Sequence, residues 1–399
     1  MSNVSGAKVA SFYTGKSVFI TGGTGFLGKT LIEKLLYSCS GIDKIYILVR
    51  DKHGQPAHER LARITNTPVN SFKCVYIFQV SVVFHLAATV AFNLRLKDAM
   101  RININGTEGL NLIILQAFVY VSTAFSNSDR HEIREEVYSM PVSLEDARHV
   151  AEMYSHDDKI IGKFLGKKPN TYTFSKALAE DLVMKQCKDL PAAIVRPSIV
   201  MSSIKEPCPG WIDTWSGSTG MFVGMPAGVL KVVKGKGSNV TDLVPVDIVT
   251  NFLIVAATEC QKSEELKVYN CCTGTSNPIT SDHVSAIARK VTLKHSLSKL
   301  LDYQYLSILK LKRTLHINNC FLCYSQMKLQ SRLKKNIDVV KFFLLNEWKF
   351  SDDNVRNLLK TMSPEDKETF NFDVKTINWE KSIEDYVLGA RKYLLKYDK

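Results

Sequence analysis

SVFITGGTGFLGKTLIEKLL, residues Ser17 to Leu36, decides the fold of this 399-residue chain. Its first apolar run, Val18-Phe19-Ile20, reads as a buried strand. It stops at Thr21-Gly22-Gly23-Thr24-Gly25-Phe26-Leu27-Gly28. Apolar residues then return at Leu27, Leu31, Ile32, Leu35 and Leu36, the spacing of one helix face. A strand that turns through glycines directly into a helix has the form of a dinucleotide site. The glycines permit a tight turn, backbone approach to a pyrophosphate and close packing of helix on strand, while unpaired N–H groups of the first helical turn receive phosphate. The whole turn from Thr21 to Gly28 is therefore assigned to cofactor contact.

One βα unit later, KIYILVR, residues Lys44 to Arg50, reads as the second strand. Its end is where a ribose contact belongs, and Arg50 stands there. A guanidinium suits the 2′-phosphate of NADP through bidentate bonds, although Asp51 lies beside it. Further on, VFHLAATVAF brings His85-Leu86-Ala87-Ala88 to the end of a buried run. Ala87 and Ala88 are small enough for a cofactor to lie against the backbone. His85 at a strand end is read as structural rather than as a base. RININGT adds Asn103 to the cofactor set, ahead of a helix with Asn105 as its expected cap, and VYVSTAF puts Ser122 and Thr123 at the end of another apolar strand. Hydroxyls at the carboxyl end of such a strand face the cleft of an open α/β sheet.

NTYTFSKALAEDLV adds the chemistry. Tyr172 and Lys176 are four apart, on one helix face. A free phenol titrates near about pH 10, and a neighbouring cation and a positively charged nicotinamide ring are together expected to draw it toward neutrality, where it can exchange a proton with a carbonyl oxygen. Glycine turn, hydroxyl pair and Tyr-x-x-x-Lys together point to an oxidoreductase using a nicotinamide cofactor.

Composition agrees with a large globular chain of about two domains: 45% of residues are hydrophobic and 23% charged. The first residues lack the apolar stretch of a signal peptide, so a reducing compartment is expected and the nine cysteines need no disulfides. A single CxxC at Cys320 and Cys323 completes no zinc pattern, and no metal is expected. The formal charge of +13 is spread along the chain without an arginine-rich helix or finger spacing, which argues against a nucleic-acid partner. It leaves a polyanionic small molecule or an anionic membrane surface. The best uncharged apolar run, Ile248 to Thr258, is too short to span a bilayer.

Two junctions are too short for the fold. Strand-like runs Cys74 to Phe78 and Val82 to Leu86 are separated by three residues, which reach only about 10 Å, whereas parallel neighbours need a crossover of a dozen or more. One run is expected to leave the sheet, pair as an antiparallel edge or fuse with the other into one long strand, with fusion or displacement of the first as the expected outcome. The expected helix Asn105 to Gln116 also runs into strand Ala117 to Ser122 with no turn between. Segments present in the parent fold are inferred to be missing here.

The chain resembles the extended short-chain dehydrogenase/reductases and, more narrowly, the alcohol-forming fatty acyl-CoA reductases. The blocks that carry the likeness are the opening stretch, IYILVR, VVFHLAATV, RININGT, VSTAFSN, PNTYTFSKALAEDLV, IVRPSIV, EPCPGWIDTWSGSTG and LVPVDIVTN, with the tail from NEWKFSDDN onward. The resemblance implies an α/β Rossmann fold, a doubly wound parallel sheet over residues 1–265, and a smaller, mainly helical domain over 266–399. It implies Tyr172 and Lys176 as the catalytic pair, Thr123 with Ser122 beside it as the carbonyl-binding hydroxyls, and Pro197-Ser198-Ile199 closing the nicotinamide pocket. NADPH would reduce a long-chain fatty acyl-CoA to a primary alcohol at a membrane of the peroxisome or endoplasmic reticulum. Lys163, Lys167 and Lys168 read as a solvated basic loop, with CoA phosphates as a second use. Two alternatives stay open: an oxidoreductase of a sterol or sugar-nucleotide alcohol, and a truncated member that only binds.

Overall fold

The computed structural model describes residues 8–49, 57, 80–110, 116–215, 219, 235–261, 265–295 and 341–396. In chain order its strands are β1 (Ser17–Thr21), β2 (Lys44–Leu48), β3 (Val82–His85), β4 (Ala117–Val121), β5 (Glu132–Ile133), β6 (Ala192–Pro197), β7 (Ile199–Met201), β8 (Leu243–Pro245), β9 (Lys267–Cys271) and β10 (Lys349–Phe350). Six of them form one sheet in the order β2-β1-β3-β4-β6-β9, with every pair parallel. Residues of β4 alternate between two cores, as a strand covered on both faces requires. Ala117, Val119 and Val121 join Val18, Ile20 and Phe84 on one side; Phe118 and Tyr120 join Val83 and Ile194 on the other. The first core is covered by the Phe26–Ser38 and Val246–Cys260 helices, the second by the Leu96–Met100 and Thr171–Gln186 helices.

Strand order reverses between β1 and β3, since β2 lies on one side of β1 and all later strands on the other. Ligands of open α/β sheets bind at the carboxyl ends of the strands flanking that reversal. Here those ends are Thr21-Gly22 and His85-Leu86-Ala87. The expected doubly wound parallel sheet is therefore present. β9 follows residue 265, so the sheet draws on both of the expected domains. The C-terminal helices share the first core through Leu358, Phe370, Trp379 and Ile383, and the Asp366 carboxylate accepts the Lys8 and Val9 N–H groups at 2.9 and 3.3 Å.

Some expected boundaries move. Asn105 does not cap a helix: it lies inside a helical path that begins at Leu96 and passes through a π-helical turn over Arg101–Asn105. The run Cys74 to Phe78, and hence its displacement, lies outside the described residues, as do 111–115. The apolar Val246–Cys260 helix is buried along nearly its whole length. Among the described residues no helix is long and apolar enough to cross a membrane, and no acidic, histidine or cysteine cluster could hold a metal.

One buried ion pair fastens the helix carrying Tyr172 to the sheet. Arg196 of β6, with no exposed surface, donates from Nε to Glu180 Oε1 at 2.9 Å and from Nη2 to Oε2 at 2.7 Å. Its remaining donors go to the Arg134 and Glu136 carbonyls at 3.0 and 2.8 Å. Removing one partner leaves the other charge buried alone, so Arg196→Met should destabilise the chain by about 3–5 kcal/mol. Arg196→Met combined with Glu180→Leu should recover most of that. Urea unfolding of the three proteins checks it, and equal loss in single and double variants would contradict it.

Candidate active site

The glycine turn is built by contacts that only glycine tolerates. Gly22 has φ +72°, and a Cβ there would stand 2.8 Å from the Ala87 nitrogen. A Cβ on Gly28 would lie 2.3 Å from the Gly22 oxygen, and one on Gly23 would lie 2.6 Å from Ile47 Cγ2. Gly25 N–H donates to the Gly22 carbonyl at 2.9 Å, and the helix then begins at Phe26 without a side-chain cap. Its first N–H groups remain available to an anion. The Phe26 ring stacks on Trp211 at 5.3 Å, and Lys29 pairs with Asp213, so the 208–213 segment flanks the turn. The residues just before that segment are held by Asp247, whose carboxylate accepts the Ile204, Lys205 and Glu206 N–H groups at 2.8–3.2 Å.

On the other lip of the crevice, Ala87 N–H donates to Thr21 Oγ1 at 3.1 Å. Asn103 lies behind this lip: its Oδ1 accepts Thr89 N–H at 2.8 Å and its Nδ2 donates to Ser175 Oγ at 2.9 Å. Both ends of the Asn103 amide are thus engaged by protein, and it supports the crevice rather than lining it. Ala88 follows on the same partly exposed segment.

The chemistry-bearing side chains converge at the carboxyl end of β4. Tyr172 is 9% exposed and is hydrogen-bonded to Thr123, whose Oγ1 also accepts Phe125 N–H at 3.3 Å. Lys176 is 2% exposed; its Nζ donates to the Val121 carbonyl at 2.7 Å and to the Tyr120 hydroxyl at 3.3 Å. Ser122 N–H continues the ladder to Val195 O at 2.7 Å, while its buried Oγ has no hydrogen-bond partner. Pro197 ends β6, and the two residues after it are pinned by Ser198 N–H to Cys271 O at 3.2 Å and Ile199 N–H to Asp242 O at 3.1 Å.

Burial sets the electrostatics. The Tyr172 phenol is pushed up to about 12 by desolvation, opposed by its Thr123 bond. Desolvation pulls Lys176 down to about 7, opposed by Glu180 one turn along the helix. The expectation that Lys176 draws the phenol toward neutrality is therefore corrected for the chain alone. An ammonium engaged by a carbonyl and a second phenol does not offset removal from water.

Arg50 lies outside the described residues. Of the three lysines before the Thr171–Gln186 helix, Lys163 and Lys167 are exposed, but Lys168 is buried and structural: its Nζ meets Asp129 Oδ1 at 2.7 Å and the Ser126 carbonyl at 2.8 Å. The sequence reading missed Glu180, Arg196, Asp247 and Phe92, whose ring lies 5.5 Å from that of Tyr172. Glu180, four residues past Lys176 on the same helix, carried a readable signal; the others are brought in by separate elements.

A family model described as male sterility protein, of NAD-binding type, matches residues 20–76 and 70–253, and a second of that description matches 311–397. Fatty acyl-CoA reductase 1 of Xenopus laevis and of Homo sapiens are each 35% identical over 445 positions, spanning 97% of this chain and 86% of theirs. The chain belongs to the fatty acyl-CoA reductase family. Fatty acyl-CoA reductase 2 of Mus musculus is 34% identical over 448 positions and 98% of the chain.

Alignments of 445 positions exceed the 399 residues by 46, so these reductases carry internal residues that this chain lacks. The two pieces of the NAD-binding match meet at residues 70–76, beside the junction that sheet geometry marks as too short. Two solved structures share the fold. One is the terminal R domain of the myxalamid biosynthetic pathway, with TM-score 0.58 and 18% identity over 95% of this chain and 91% of its own. The other is UDP-glucuronic acid 4-epimerase from Bacillus cereus in complex with NAD, with TM-score 0.55 and 15% identity over 96% and 98%.

A nicotinamide dinucleotide fits these residues. The Gly22–Ala87 crevice is one a Cβ would fill, the helix start is uncapped, and the Ser122 hydroxyl lacks a partner. Gly22→Ala should lower dinucleotide affinity more than tenfold, because the side chain enters the crevice, beyond about 1–3 kcal/mol of backbone strain. Gly15 has φ +69° with nothing within 4 Å of its Cβ direction. Gly15→Ala should therefore carry the strain and keep the affinity. Fluorescence titration with NADPH distinguishes the two, and equal affinities would refute the crevice assignment.

Proposed function

We propose that this member of the family reduces long-chain fatty acyl-CoA to a primary alcohol with NADPH, releasing CoA and passing through an aldehyde held at the site. The observation that carries the proposal is the convergence of Tyr172, Thr123, Ser122 and Lys176 at the end of β4, facing the crevice between β1 and β3. Bound there, the nicotinamide would supply hydride. Thr123 and Ser122 hold the acyl oxygen, and Tyr172, whose proton is retained well above neutral pH, gives it up to the oxyanion as negative charge develops. In the first round the thioester carbon gains hydride and its oxygen gains the proton. The hemithioacetal then breaks its C–S bond, CoA leaves as the thiol, and the aldehyde remains. With hydride from a second NADPH the aldehyde is reduced, Tyr172 again gives its proton to the oxygen, and the alcohol is complete. Lys176, fixed through Val121 O, supports the cofactor ribose and the reprotonation of Tyr172.

NADPH is proposed over NADH because Arg50 ends the second strand in sequence. Attachment to a membrane of the peroxisome or endoplasmic reticulum belongs to the same proposal, for which the +13 charge suits an anionic surface. The shortened alignment favours one second reading, a member that binds acyl-CoA without turning it over.

Tyr172→Phe keeps the ring against Phe92 and removes only the proton donor, so turnover should fall about 10²–10⁴-fold with NADPH affinity within a few fold. Incubation with acyl-CoA and NADPH, with analysis of the lipids formed, decides between the readings: fatty alcohol supports reduction, and bound but unconverted acyl-CoA supports the second. Arg50→Glu should erase or reverse the preference for NADPH, measured as the ratio of kcat/KM for the two cofactors. A wild-type chain that uses NADH equally well would contradict the role of Arg50.

A further inference from the structure

β3 ends on His85, which is 2% exposed and touches both halves of the nucleotide site. Its Nδ1 lies 2.7 Å from Thr21 Oγ1 and its Nε2 lies 3.0 Å from Thr107 Oγ1. A hydroxyl has one proton to donate and two lone pairs to accept with. The Thr107 proton goes to the Asn103 carbonyl at 2.8 Å, so Thr107 must accept from His85. Thr21 already accepts Ala87 N–H at 3.1 Å, and its own proton is free for Nδ1. The partners thus assign the proton of the ring to Nε2.

A second branch ends on the same hydroxyl. The Tyr120 phenol is hydrogen-bonded to Thr107, and Lys176 Nζ donates to that phenol at 3.3 Å. Tyr120 is therefore the last of the polar partners gathered around the Thr107 hydroxyl. The His85 and Tyr120 rings stack at 5.7 Å with 26° between planes. The first branch runs from Ala87 to Thr21 to His85 to Thr107 to Asn103, and Tyr120 joins Lys176 to the same threonine.

We propose that His85, as the neutral Nε2–H imidazole, is a positioning residue that ties the glycine turn after β1 to the hydrogen-bond chain supporting Lys176. Thr21 and Ala87 are the two lips of the dinucleotide crevice, and Asn103 grips both Thr89 and Ser175 of the catalytic helix. The imidazole sets the separation of those elements without reaching the reacting atoms. The titratable groups against it are Lys176 and Tyr120. Burial first, and the Lys176 charge second, hold His85 down to about 3, so no second proton reverses the Thr21 bond near neutral pH. The inference rests on the nucleotide site, not on the identity of the acyl substrate.

Nitrogen NMR of the labelled full chain should show His85 protonated on Nε2 and bare on Nδ1, unchanged between about pH 5.5 and 8.5. An Nδ1–H tautomer, or titration in that range, overturns the proposal. His85→Phe keeps the stack on Tyr120 and loses both ring bonds; the NADPH dissociation constant should rise about tenfold. In turnover the loss should fall on KM for NADPH, with kcat within about threefold. His85→Asn returns an acceptor toward Thr21 and should recover most of the affinity. Wild-type affinity in His85→Phe, or no gain from His85→Asn over His85→Phe, also overturns it. If the variants do not fold, the tautomer of the wild type decides alone. If the wild type fails to bind NADPH, the nucleotide reading fails while the tautomer result remains separately readable.

Discussion

The structure depends on how closely two backbones can approach at one place, the reversal of strand order between β1 and β3. A parallel sheet opens a crevice only there, and only if the turns leaving both strands carry no bulk toward each other. Gly22 meets this with a left-handed φ and a hydrogen where a methyl would strike Ala87 N. Thr21 closes the same gap from below by accepting the Ala87 N–H. The Phe26–Ser38 helix start, the Asn103 amide and the 208–213 segment are then arranged around that opening.

Burial governs the second half of the site. Tyr172, Lys176, Tyr120 and His85 are nearly removed from water, so each is pushed toward its uncharged form and each must find its polar partners inside the protein. The Arg196 guanidinium meets that demand inside the protein, through two parallel bonds to Glu180 and two backbone carbonyls. Glu180 in turn raises Lys176 toward its charged form, so the same carboxylate that fastens the helix also acts on the amine one turn away.

The strands that carry the site are continuous with one another in the sheet. β1, β3, β4 and β6 pair in continuous parallel register, and Ser122 and Thr123 follow the end of β4. In the doubly wound order, a strand following β2 belongs beyond it at the sheet edge. Here, among the described residues, the chain next enters the sheet on the opposite side of β1.

Local order in the residues was enough to determine the glycine turn, the parallel sheet, the Tyr172–Lys176 face and the hydroxyl pair at the end of β4. Each rests on spacing within a single strand, turn or helix. Sequence order alone could not determine that Asn103 is consumed by Thr89 and Ser175, or that Lys168 serves Asp129. Nor could it determine that His85 bridges two threonines, or that the phenol's pKa rises instead of falling. Those outcomes depend on which groups from distant segments meet after water has been excluded, and desolvation is a property of the packed molecule that no residue carries in its own neighbourhood.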